Sequence, residues 1–146
     1  MKSQGMCGSL EPLFLTILRV TVGVIMIAHG WDKLQDIALW TNRFEGMGIP
    51  FPKISVYLAI AGELGGGAGL FIGLLTPLAA LGIASTMAVA ILKVHLPNGL
   101  LAKNNGFEYP LTLFAAALYF IFRGAGPISI DGLFCRKKEC HSGESI

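Results

Sequence analysis

Charge is what this sequence has least of. Lys, Arg, Asp and Glu make up 14% of its 146 residues, where a soluble domain carries about 25%. So few charges exclude a surface solvated all round. The net charge is only +2, and no basic block is interleaved with aromatics. Nucleic acid is therefore not an expected partner. Cysteine is scarce as well. Three cysteines cannot build a disulfide framework, and no two stand as CxxC. A nucleotide fingerprint and a haem-ligating pair of histidines at matched depth are also missing. A cleavable leader is not expected: the first apolar run carries Arg19 and lacks a small-residue cleavage site.

What is present is apolar. Hydrophobic residues reach 53%, the mean hydropathy is +0.65, and the apolar residues fall in long blocks. That pattern predicts an all-α, integral membrane four-helix bundle. A polar N-terminal tail covers 1–12. A four-helix transmembrane domain covers 13–131, with spans at about 13–29, 54–75, 77–96 and 108–123. A charged C-terminal tail covers 132–146. Between spans one and two, Leu34, Ile37, Trp40, Phe44 and Met47 recur every three or four residues, with Asp36, Asn42, Arg43 and Glu45 between them. This predicts a short interfacial amphipathic helix anchored by Trp40. In span two, Gly62, Gly66, Gly69 and Gly73 form one small-residue stripe that lets another helix approach closely.

Four spans put both termini on one side. Lys and Arg divide almost evenly between the two sides, and the densest cluster, Arg136-Lys137-Lys138, favours cytoplasmic termini. The expected location is the plasma or inner membrane, multi-pass, with the lipid bilayer as first partner. A homo-oligomer is compatible with the sequence.

Candidate chemistry centres on Glu63. A carboxylate inside an apolar run costs several kcal/mol unless it is paired, protonated or facing a cavity. Arg19, Val22, Met26, His29 and Lys33 share one face of span one. By rise per residue, Glu63 lies about 14 Å from one end of its span and Arg19 about 9 Å from the opposite end of its own. An Arg19–Glu63 ion pair is expected, either as a structural register pin or as a proton or ligand site. Towards the loop side, His29 and Lys33 meet Lys93 and His95 of span three and Glu108 and Tyr109 of span four. Glu63, Arg19 and Glu108 are the candidate catalytic groups; His29, Lys33, His95 and Tyr109 are the candidate cofactor-binding groups. His29, His95 and Glu108 form no compact metal motif, and no metal site is expected. Cys7, Cys135, Cys140 and His141 gather on the terminal side, where free thiols are a simpler reading than a Cys3His zinc site.

The chain resembles the DoxX family of small four-span membrane proteins. The matching pieces are Arg19-x3-Gly23, His29-Gly30-x2-Lys33-Leu34, Gly46-x-Gly48-Ile49-Pro50 and Glu63-x-Gly65-Gly66-Gly67. They continue through Leu70-x2-Gly73-Leu74-x-Thr76-Pro77, Lys93-x-His95, Gly106-x-Glu108-Tyr109-Pro110 and Gly124-x-Gly126-Pro127-x-Ser129-x-Asp131. The resemblance implies a four-helix membrane bundle in a family often labelled as oxidoreductases. Some of its members work with quinones in sulfur oxidation or beside thiol and superoxide detoxification partners. The expectation is a membrane component of a redox system, associated with a quinone. A quinone head group needs hydrogen-bond donors at its carbonyls and a route for protons, which these residues could supply. Two alternatives stand beside it: a non-catalytic scaffold that docks redox or detoxification partners, and a small proton-coupled carrier.

Overall fold

The structure is a computed structural model that describes residues 6–134, with side chains from residue 10 onward. Every regular element among the described residues is helical. Helix α1 spans Met6–Gln35 and α2 spans Ile37–Gly46. Helix α3 runs over Pro52–Ile72 and α4 over Thr76–Asn98. Helix α5 spans Glu108–Arg123. Among the described residues, three stretches are long and apolar enough to cross a membrane: Leu10–Gln35, Pro52–Ile72 and Thr76–Asn98. Helix α5, at 16 residues, is shorter. The expected fourth span thus corresponds to α5, and the expected interfacial helix to α2.

Two features depart from the expected spans. Helix α1 begins at Met6 and does not stop near residue 29. Its last two turns carry Lys33 into the protein, where the residue is only 8% exposed. Helices α3 and α4 each contain a wider π turn, at Ala61–Gly65 and Ala90–His95. Turns of this kind insert one residue into the helical register and recur at functional sites. The first one holds Glu63.

Glycine places α3 between α1 and α4. A Cβ on Gly67 would lie 2.8 Å from Ile27 N, and one on Gly23 would lie 2.8 Å from Phe71 N. On the other side, a Cβ on Gly66 would lie 2.7 Å from Ala79 O, and one on Gly62 2.7 Å from Thr86 Cγ2. The predicted stripe therefore works as a helix-packing face: Gly62, Gly66 and Gly69 meet α4. Close approach lets van der Waals contact hold apolar helices together where lipid removes the hydrophobic drive. Helix α5 then packs on α4. Leu15, Val22, Met26, Leu70, Ile83, Met87, Leu113, Ala117 and Phe120 form the main core, shared by α1, α3, α4 and α5.

A second, smaller core lies under α2. Asp36 caps this helix by accepting from Leu39 N–H at 2.8 Å. Its apolar stripe, Ile37, Trp40 and Phe44, packs with Ile49, Val56, Ile60 and Leu64. The period read from the sequence is thus the face that α2 turns towards α3.

Candidate functional site

Two charged constellations lie at opposite ends of the bundle. At the loop end, Lys33 Nζ donates to Glu63 Oε2 at 2.7 Å. Both residues are buried, Lys33 at 8% and Glu63 at 5% exposure. The ammonium also lies 4.6 Å from the centre of the Trp40 ring. Arg43, one turn along α2, meets the same ring at 4.7 Å. Cation–π attraction strengthens where water is excluded, so α2 closes one flank of the pair with an aromatic surface. Next to it, His29 Nε2 and the Tyr109 hydroxyl are 3.1 Å apart. Both of these residues are exposed.

The terminal end is built around Arg19, which is 3% exposed. Its guanidinium donates to Leu70 O at 2.5 Å, Phe71 O at 3.1 Å and Ile128 O at 3.0 Å. The first two are among the last carbonyls of α3, which have no partner within the helix. Just beyond, Gly73 turns the chain with φ +70°. Asp131 then accepts from Leu75 N–H at 2.8 Å and Thr76 N–H at 2.9 Å at the start of α4. A cation therefore sits on the negative end of α3 and an anion on the positive end of α4. Asp131 N–H also donates to Gly73 O at 2.9 Å. Burial works against the Asp131 charge, but the hydrogen bonds from Thr76 and Leu75 and the nearby Arg19 outweigh it. Its carboxyl is held below the usual range.

This geometry corrects the expected Arg19–Glu63 pair. Glu63 pairs with Lys33, and Arg19 binds main-chain carbonyls about seven residues further along α3, or about 10 Å by helical rise. Arg19 thus belongs to the hairpin between α3 and α4 and is removed from the cluster at the loop end. Glu108, expected beside it as a proton relay, accepts instead from Ala102 N–H at 2.7 Å. His95 donates its Nδ1–H to Asn105 O at 2.8 Å, and Asn98 donates to the same carbonyl at 3.2 Å. These contacts fold the 96–107 loop. Of the expected set, the structure brings together Lys33 with Glu63 and His29 with Tyr109. Among the described residues, no group of three His, Cys, Asp or Glu is assembled to hold a metal ion. Cys135, Cys140 and His141, and the side chain of Cys7, lie outside the described residues.

Two contributors were not assigned these roles from the sequence. The sequence marks Trp40 as a membrane anchor and does not display its contact with Lys33. Asp131 stood only in a matching motif. The signal for Trp40 was available: an amphipathic helix that starts one residue after α1 must fold back over the end of α1.

The DoxX family model matches residues 14–96. The chain belongs to the DoxX family. An uncharacterised DoxX-like relative from Haemophilus influenzae is 33% identical over 131 residues, covering 87% of this chain and 95% of the relative. "Putative oxidoreductase CatD" of Bacillus subtilis is 29% identical over 123 residues, covering 84% of this chain and 88% of that protein. "Inner membrane protein YqjF" of Escherichia coli is 28% identical over 128 residues, with 88% and 97% covered. No solved structure matches. A DoxX chain with three long apolar helices, similar to an inner membrane protein, is a membrane protein.

Proposed function

We propose that this DoxX protein is an integral membrane component of a redox system, associated with a quinone, in which the Lys33–Glu63 pair handles protons. The observation that carries the reading is the pair itself: two ionisable side chains buried 2.7 Å apart in apolar helices. Ionisable groups at such depth are expensive and mark ion, proton or ligand pathways. The likeness to a protein named as an oxidoreductase supports the redox part.

The donor set fits a head group. His29 and Tyr109 stand together at the surface of the bundle, where they can donate to a head-group carbonyl. Lys33 lies one helical turn further along α1, where it holds Glu63 of α3. Reduction of a quinone to a quinol takes two electrons and two protons, and the electrons come here from a redox partner protein. The chain's own residues hold the head group and move protons at the Glu63 carboxylate. In the same reading, α5 is a fourth span shortened at a thinned or cavity-lined region. Helix α2 lies in the membrane interface, and the termini are cytoplasmic.

The test is a double replacement. Removing one partner of a buried ion pair costs about 3–5 kcal/mol, whereas replacing both by apolar residues is close to neutral. Lys33→Met with Glu63→Leu is therefore expected to keep the stability that either single replacement loses. A short-chain quinone should bind the reconstituted wild type saturably, and on reduction by dithionite the bound quinone should become the protonated quinol. The double variant should form that quinol at least about tenfold more slowly. Absence of saturable binding, or an unchanged rate of quinol formation in the double variant, defeats the reading.

A further inference from the structure

We propose that His29 carries protons between the buried Glu63 carboxylate and the surface, with Tyr109 as the residue that positions its ring. The proposal deepens the reading of Glu63 as a proton-handling group and rests on it.

The Lys33–Glu63 pair has to exchange protons with water through some side of the bundle. One flank is closed, because the Trp40 ring lies over Lys33 Nζ. The other flank carries His29, one turn before Lys33 on the same helix. Between those turns, Gly30 backs directly onto α3: a Cβ there would lie 2.7 Å from Leu64 N. The residue next to Glu63 is thus in backbone contact with the residue next to His29, and no side chain at Gly30 separates the two turns. The His29 ring and the Glu63 carboxylate share no direct hydrogen bond, so one water completes the path between them.

The ring has a defined orientation. Its Nε2 faces the Tyr109 hydroxyl at 3.1 Å, with ring centres 5.9 Å apart and planes at 55°. Nε2 is thereby committed to the surface partner, and Nδ1 is left free of it. The charged groups that act on Glu63 are Lys33, His29 and Asp32, all on α1, and Tyr109 of α5 is the group that meets the His29 ring. Imidazole is the side chain proteins use as a proton shuttle, and this one is exposed. The other candidates of the loop end are committed elsewhere, His95 to Asn105 O and Glu108 to Ala102 N–H. Inward transfer runs through a bridging water: an imidazolium N–H bond breaks as a water O–H bond forms, and that water's other O–H bond breaks as the Glu63 O–H bond forms, leaving the ring neutral. The ring then recovers a proton from surface water. Outward transfer is the reverse, and no electron moves in either direction.

The experiment uses the full chain in lipid nanodiscs. A rapid pH jump is followed by infrared absorption of the protonated carboxyl, and the band lost in Glu63→Gln identifies Glu63. His29→Ala should slow protonation of Glu63 by about tenfold or more. Imidazole added to the solution should restore the rate, because the site is open to the surface. Wild-type kinetics in His29→Ala overturns the proposal. So does a slow rate that imidazole leaves unchanged, since that is the signature of a structural role. If no carboxyl band disappears in Glu63→Gln, the reading of Glu63 itself fails, and this route with it. If Glu63 titrates and His29→Ala stays fast, the route alone is lost.

Discussion

Asp131 is a small residue with several tasks. It caps α4, neutralises Arg19 from a distance and fixes the chain after α5 to the turn at Gly73. Its folded pKa is lower than its unfolded one. As pH falls, the unfolded chain therefore takes up the proton first. The stability that Asp131 contributes is fully present above the ordinary carboxylate range and disappears as pH drops through the depressed folded value. Asp131→Asn should therefore be less stable than wild type at neutral pH, with the difference shrinking as the pH falls below about 4. Unfolding midpoints in detergent across pH 2–7 read this directly, and a constant gap would contradict it. At this scale the sequence was half legible. Glu63 and Arg19 stood out because charge inside apolar runs is costly. Their partners did not stand out, for two reasons. Arg19 is satisfied by main-chain carbonyls, which every residue possesses and no sequence displays. Lys33 looked interfacial because the end of α1 was placed by hydropathy, whereas α2 folds back and buries that end.

Among the elements, α3 is decisive, since neighbours press on both of its faces through glycine. The consequence is position-specific. Gly67→Ala would drive a Cβ to 2.8 Å from Ile27 N, a backbone atom that cannot step aside. It should destabilise by about 1–3 kcal/mol. Gly65→Ala, two residues away, meets nothing within 4 Å and keeps a helical φ of −68°. That variant should be neutral or more stable by about 0.4–1 kcal/mol, through a less flexible unfolded chain. Thermal unfolding of the two variants side by side settles the order. The Gly62-Gly66-Gly69 face was legible because small residues at helical spacing have one main use in a membrane. The contacts of Gly23 and Gly30 with α3 were not, because two glycines seven residues apart on α1 make no continuous stripe. The π turns were also invisible: an extra residue in the hydrogen-bond register leaves the hydropathy pattern almost unchanged.

For the whole molecule, the proposed four spans make a topological claim. Glu45 on α2 and Lys103 in the loop after α4 should face one side of the membrane. Phe134, after α5, should face the other. All three residues are exposed. In a background with Cys7, Cys135 and Cys140 replaced by serine, single cysteines at these positions can be labelled with an impermeant maleimide in sealed, oriented vesicles. Labelling of 45 and 103 from one side and 134 from the other is expected. Labelling of 45 and 103 from opposite sides would mean a different span count. The all-helical membrane class was legible from composition together with the long apolar blocks, because runs of that length with so little charge suit helices buried in lipid.

The contacts of Arg19 also set an order of assembly. The side chain enters the apolar phase with the first helix, yet Leu70 and Phe71 lie 51 and 52 residues downstream, and Ile128 lies 109 downstream. A nascent chain that has delivered only its first helix carries a cation whose final acceptors have not been synthesised. Two carbonyls arrive when α3 is complete. The third arrives only after α5 has been made, so the last bond of this arginine cannot close until that helix and the segment behind it have been synthesised.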